Sequence, residues 1–439
     1  MITKFTFLHS MSILLMNLTF FAHPQNIALV GGTVIDVSNF GTSDSDINNA
    51  IIIIKGEKIT EVGRRGSIKI PEGAQVFEIT GKYVLPGLID GFASLDNQSY
   101  ANAYLYMGVT SIVGIGGFRR APLYENADPC PNIYHEDFVG KWKITTEEML
   151  KQIDELARKE VKFLLLMYEL RPGQLKPAIE KAHVLGMATI GELGHTSYKD
   201  AIGFGIDALI HSSRYAIEMA PPEMRAEVAA QPFGLPSKKF KKWLAELNPE
   251  HRIIKEYAEI LGSNQVALIP TLSLYCIDLP DIENPWKEPV AIILNPEDIN
   301  FPVDRSTGKH NFESEIQKEL ILKAMSTLER ERQFYKAGAR YLAGSGTDVF
   351  GTMPGISLHQ ELELLTKIGL SEREAIATAT SNFAEVFNWK EIGQIKPGCR
   401  ADIIITDKNP LENIKNLKTI SVVILKGNKI DRDNLLRLR

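Results

Sequence analysis

The chain has 439 residues, 44% of them hydrophobic and 23% charged, values of a soluble globular protein and far from those of a disordered or multi-spanning one. Its 49 basic and 54 acidic residues sum to −5 and are evenly spread, which argues against a nucleic-acid or anionic-lipid surface and leaves a small molecule as the expected partner. Cys130, Cys276 and Cys399 are odd in number and far apart, so neither a disulfide framework nor a CxxC metal site is expected, and all three should be free thiols.

In chain order, Lys4 precedes an apolar run from Phe5 to Phe21, and the sequence turns polar at His23-Pro24-Gln25. This reads as a signal peptide over residues 1–25 and hence as a periplasmic or secreted protein. The run is shorter than the ~20 residues of a spanning helix, so no stable membrane insertion is expected. Residues 26–85 are β-rich and punctuated by glycine: Ile27-Ala-Leu-Val30, Gly31-Gly32, Ala50-Ile-Ile-Ile-Ile54 and Lys55-Gly56. A similar set returns in residues 389–439, at Ala401-Asp-Ile-Ile-Ile405 and Ser421-Val-Val-Ile-Leu425. Neither set makes a core alone, whereas pairing them into a small β-sandwich buries both.

Between them, residues 86–388 alternate β-like and helical runs, the signature of parallel βα units. The expected fold is therefore α/β, a (β/α)8 TIM-like barrel of ~250 residues with insertions, plus the β-sandwich built from the two ends. Thr145-x-x-Glu148 reads as a capping box opening a helix with Met149, Ile153 and Leu156 on one face, followed by a strand from Val161 to Leu166. Leu175, Ile179 and Ala182 form the next helical stripe. Strands are expected at Met187–Ile190, Asp207–Ile210, Val266–Ile269 and Arg340–Ala343, and Ser371-x-x-Glu374 caps a late helix. Two stretches break this rhythm. Residues 214–262 look like extra helices, and 278–314 is a proline-spotted segment after the seventh strand, readable as a lid over the barrel mouth or as a surface insertion.

Several motifs fall in the order of the amidohydrolase superfamily, and the chain resembles its imidazolonepropionase-like and prolidase-like branch over roughly residues 26–430. The motifs are Val84-Leu85-Pro86-Gly87-Leu88-Ile89-Asp90, Gly108-Val109-Thr110, Gly205-Ile206-Asp207-Ala208-Leu209-Ile210-His211, Pro270-Thr271-Leu272, Gly346-Thr347-Asp348, Leu358-His359-Gln360-Glu361 and Gly393-x-Ile395-x-Pro397-Gly398-x-x-Ala401-Asp402. The resemblance implies hydrolysis of a non-peptide or dipeptide-like C–N bond by metal-activated water at the C-terminal mouth of the barrel. It also implies a reduced site. Where the family has His-x-His on strand one, this chain has Phe92 and Ser94, and the strand-five histidine falls at Gly191 with Glu192 beside it.

What survives under the resemblance is Lys162, matched to the lysine that is carbamylated to bridge two metals, His211 on strand six, and Asp348 on strand eight as ligand and general base. One reading has Lys162 or its carbamate, Glu192 and His211 holding a single divalent ion, zinc by ligand type, while Asp348 takes the proton of the attacking water. The other has Lys162 as an ordinary ammonium, paired with Asp348 in a metal-free mouth that binds an organic ligand beside the Phe92 ring, or in a subunit that assembles with itself or with an intact homologue. His195, His359, Phe92, Arg119 and Tyr168 are the expected substrate-facing residues. For His359 a structural hydrogen bond is the competing reading, for Arg119 and its neighbour Arg120 a solvated pair, and His183 suits a helix C-terminus.

Overall fold

The computed structural model describes residues 26–115, 122–140, 144–231, 234 and 236–437. The expected signal peptide, Arg119 and Arg120 lie outside the described residues.

Eight parallel strands follow one another in chain order around a single sheet. They are strand one (Leu88–Ala93), two (Val109–Gly114), three (Asn132–Val139), four (Phe163–Met167), five (Ala188–Glu192), six (Ala208–Ile210), seven (Ala267–Ile269) and eight (Arg340–Tyr341). Backbone bonds join the two edges: Gly91 N–H to Ala343 O at 2.8 Å, Gly346 N–H to Phe92 O at 3.0 Å and Ser94 N–H to Thr347 O at 2.8 Å. This is the TIM-like barrel that the alternating pattern implied. Strand three carries no glycine-bounded apolar run, and nothing in its sequence had marked it as a strand.

Parallel neighbours in register point the same way, so the pairings fix the interior. Glu136, Phe163 and Ala188 share one row, and Phe138, Leu165, Ile190, Ala208 and Ala267 the next. Met167 and Glu192 lie in a row nearer the mouth. Below the rows, Phe163 packs on Phe387 at 5.0 Å and on Trp389 at 5.0 Å, and Trp389 lies 4.8 Å from Tyr134. The lower end of the lumen is thus closed by aromatic rings.

The helices outside the sheet obey their sequence signals. Thr145 caps Thr146–Arg158 with both bonds of a capping box, burying Met149, Ile153 and Leu156, and Ser371 does the same for Glu372–Thr378. Residues 214–262 add the helices Pro222–Ala229, Lys238–Glu246 and Arg252–Asn264. No helix among the described residues is long and apolar enough to cross a membrane, and all three cysteines are free thiols.

Two further sheets form the appended β body. Ile27–Val30, Ala50–Lys55, Lys58–Arg64 and Gln75–Glu78 make a four-stranded sheet. Thr33–Val34 and Tyr83–Pro86 from the start of the chain join Ile403–Thr406, Ile420–Leu425 and Asn428–Lys429 from its end in a five-stranded one. Leu29, Ile52 and Ile54 of the first pack against Val84, Ile403, Ile405 and Ile424 of the second. The composite of the two ends is real.

Candidate functional site

All eight strands are parallel, so the residues that end them converge on one mouth. Phe92 belongs to strand one, Glu192 closes strand five, His211 follows strand six, Thr271 follows strand seven and Asp348 follows strand eight. His211 turns the chain from strand six into the short helix Ser212–Tyr215 with φ of 63°, and its backbone N–H is held by Ile269 O at 2.8 Å. Its Nδ1 lies 2.9 Å from Thr271 Oγ1, and that hydroxyl donates its own hydrogen to Pro270 O at 2.7 Å. The hydroxyl must therefore accept, Nδ1 carries the hydrogen, and Nε2 keeps the lone pair.

Burial pushes the His211 imidazole down to about 4; Glu192 opposes the shift and Arg214 adds to it. The ring is neutral at ordinary pH. The edge-to-face neighbour of that ring is Phe92, with centroids 5.0 Å apart and planes at 88°. An aromatic ring thus packs beside the imidazole at the strand-one position where the resemblance implies a second histidine.

Glu192 points into the lumen but already has a cation. Arg214 Nη2 is 2.8 Å from Glu192 Oε1, and the same guanidinium reaches the carbonyl of Gly234. Arg214 is only 7% exposed, so this pair is largely desolvated, and the carboxylate charge is spent on the guanidinium. Beside it, the Ser213 and Tyr275 hydroxyls are 2.9 Å apart. Asp348 is buried at the end of strand eight.

Lys162 requires a correction. It precedes strand four, is exposed, and its backbone N–H binds His135 O at 3.0 Å. At ~3.3 Å per residue, a five-residue strand separates it from the mouth by on the order of 15 Å, so neither Lys162 nor a carbamate on it shares an ion with His211 and Asp348, and it is no partner for Asp348. The inward positions of strand four are Phe163, Leu165 and Met167, none of which bears a nitrogen ligand.

Among the described residues no three His, Cys, Asp or Glu side chains gather at a metal's spacing. The side chains on the page do not fit the divalent centre implied by the resemblance. Strand one offers Phe92 and Ser94, strand four an apolar face, and strand five a carboxylate tied to Arg214.

The other expected substrate-facing residues scatter. Tyr168 is buried just past strand four, where its carbonyl receives the His195 N–H at 2.9 Å and its ring lies under Gly234, while the side chain of His195 is exposed. His359 is not at the mouth: it is 2% exposed, and its Nε2 binds the Met107 carbonyl at 2.8 Å, at the entrance to strand two. Burial pushes it down to about 4, which fits a neutral structural histidine. His183 pairs with Asp207 at 2.9 Å at the end of its helix.

Four contributors to the mouth were not among the expected site residues: Ser213, Arg214, Thr271 and Tyr275. The signal for Arg214 was its place three residues after His211, one turn into the segment that leaves the strand.

Residues 320–430 match the amidohydrolase family. An adenine deaminase 1 of Desulfotalea psychrophila is 35% identical over 95 residues, which cover 20% of this chain and only 15% of the deaminase. A 5-methylthioadenosine/S-adenosylhomocysteine deaminase of Carboxydothermus hydrogenoformans is 23% identical across 92% of this chain and 90% of its own length. Among solved structures, a bottromycin amidohydrolase superposes with a TM-score of 0.67 at 16% identity, covering 94% of this chain and 89% of that one. The chain has the fold of the amidohydrolase superfamily, as the order of its motifs implied.

Proposed function

We propose that this chain uses an amidohydrolase barrel to bind a small organic molecule, of the amide or amine kind its relatives act on, at a mouth that needs no divalent metal. The observation that carries this reading is the double substitution at the mouth: the Phe92 ring packs perpendicular to neutral His211, and Arg214 supplies Glu192 with an internal cation. A guanidinium cannot leave with product or be chelated, so the charge balance of the mouth is fixed by the chain itself. An apolar ring with a few hydrogen-bonding groups around it, here Thr271, Ser213 and Tyr275, is the ordinary make-up of a pocket for an organic ligand.

A second reading keeps the chain as a C–N hydrolase, with Asp348 as the base and one zinc held near His211 and Glu192. The family match across Gly346-Thr347-Asp348 and the full-length likeness to a deaminase favour it.

One experiment separates the two. Purified full-length protein, incubated with zinc, manganese or iron(II) and desalted, is assayed for bound metal by plasma mass spectrometry and for amine or ammonia release from a panel of dipeptides, N-acyl amines and aminopurines. The binding reading expects metal far below stoichiometry and no turnover. About one tightly held equivalent together with turnover that Asp348→Asn abolishes would overturn it.

A further inference from the structure

Residues 278–312 leave the mouth side of the barrel after strand seven and are strapped to the loops and helices that follow strands eight and one. Gly351 N–H donates to Asn300 O at 2.7 Å, the Asn97 amide to Asp298 Oδ2 at 3.0 Å, and the Tyr100 hydroxyl to Asp298 O at 3.0 Å. The ring of His310 sits at the centre of this strap, with a side chain only 4% exposed. It packs against Phe312, centroids 5.2 Å apart, and Phe350 at 4.3 Å, and those two rings also touch each other, with centroids 6.2 Å apart. Phe350 stands two residues past Asp348.

Both ring nitrogens face acceptors. Nδ1 is 2.8 Å from Asp278 Oδ2, and Nε2 is 3.1 Å from the carbonyl of Phe301. A backbone carbonyl can only accept and an ionised carboxylate can only accept, so both bonds exist together only when both nitrogens carry hydrogen and the ring is a cation. The two aromatic rings packed against it favour that charge. Burial tends to push the Asp278 carboxyl up, yet the side-chain and backbone donors of His310 more than offset it and hold it below the usual carboxylate value.

We propose that His310 is a charge-dependent latch, whose imidazolium closes residues 278–312 over the strand-eight side of the mouth by bridging Asp278 to Phe301. Loss of one proton leaves a single N–H for two acceptors. One of them, buried, is then without a partner, and the strap loosens where it meets Phe350 and Gly351. The charged groups around the ring are few. Asp278 touches it, and Lys309 caps the carbonyls of Ile277, Leu279 and Ile282 at 3.0, 2.6 and 2.8 Å. Asp281 is paired with Lys367 at 2.5 Å just beyond.

Hydrogen–deuterium exchange of the full-length protein tests the latch, with rates corrected for intrinsic pH dependence. Between about pH 6 and about pH 9, protection of peptides within 295–312 should fall roughly tenfold or more relative to strand-five peptides, the scale of one hydrogen bond to a charged group. In His310→Gln the same peptides should be poorly protected at both pH values, with the ratio flat. Constant protection in the wild type, or an equal pH response in the variant, overturns the proposal. The wild type also decides alone: imidazole nitrogen NMR must show both His310 nitrogens protonated in the closed state, and a single protonated nitrogen there refutes it.

Discussion

Glu136 is the side chain in the barrel whose chemistry is least accommodated. Its register with Phe163 turns it into the lumen, it is 6% exposed, and neither carboxyl oxygen has a hydrogen-bond partner among the described residues. Burial first, then the charges of Glu192 and Asp137, push its carboxyl well above the usual value. The group is therefore a neutral acid in the folded protein and an ordinary carboxylic acid in the unfolded chain. The folded state binds the extra proton, so relative stability from this residue is full below the unfolded pKa, ~4.3, and is lost as pH rises above it. Replacing it with methionine, close in volume and without polar atoms, should raise stability by ~1–3 kcal/mol near pH 8, and the gain should shrink toward pH 4 as the wild-type penalty fades. Urea unfolding of both proteins at the two pH values measures this; equal midpoints at pH 8 would mean that the acid has found a partner and is not a burden. Mouth residues are the opposite case, since His211 is partnered by Thr271 and Glu192 by Arg214.

At the scale of elements, what could be read in advance depended on whether a local signal set the geometry. The helix from Thr146 to Arg158 is specified by its own ends: Glu148 N–H donates to Thr145 Oγ1 at 3.2 Å, and Thr145 N–H to Glu148 Oε2 at 2.9 Å. Thr145→Ala removes the first of these bonds and should cost ~1 kcal/mol, read as a lowered urea midpoint with an unchanged slope; a change under a few tenths would show that packing of Met149 and Ile153 alone holds the helix start. Strand four had no such marker. Phe163-Leu-Leu-Leu-Met167 is apolar on both faces because helices cover one and the lumen the other, so the run does not say which residues look inward. That ambiguity let Lys162 pass for a mouth residue, when the strand starts one residue after it. Strand three failed for the reverse reason: Tyr134, Glu136 and Phe138 alternate correctly, but a carboxylate in the middle of the inward set disguises a core strand as a polar one. The absence of histidine at positions 92 and 94 was legible from the motif that precedes them. Arg214 as the replacement cation was not, because its partner Glu192 lies on another strand.

The whole molecule is one barrel joined to one sandwich through the chain's two ends, along a seam that is both apolar and polar. Arg400 binds the Tyr134 hydroxyl at 3.1 Å, and Asp402 accepts from the Asn132 amide at 3.0 Å, tying the family's Ala401-Asp402 motif to strand three. At the far end, Arg432 donates to the Tyr106 carbonyl at 2.9 Å and to the carbonyl of Ile420, while its guanidinium lies 4.1 Å over the Tyr106 ring. Nearby, Asn102 of the helix after strand one donates to Leu435 O at 3.0 Å. One side chain thus holds a sandwich strand, a barrel helix and the C-terminal turn together. Arg432→Ala deletes two carbonyl partners and the ring contact at once, yet leaves the inner residues of both bodies untouched. The expected result in calorimetry is one transition at a lower temperature, with ~2–3 kcal/mol lost, because Ile404, Leu417, Ile420 and Val423 of the sandwich side share an apolar cluster with the barrel helices and keep the two bodies coupled. A single sharp transition at the wild-type temperature would show that the sheet-to-barrel contacts through Arg400 and Asp402 suffice. Coupling of this kind bears on the mouth as well: the helix that Arg432 steadies, Gln98–Tyr106, is the one whose Tyr100 anchors the strap carrying His310.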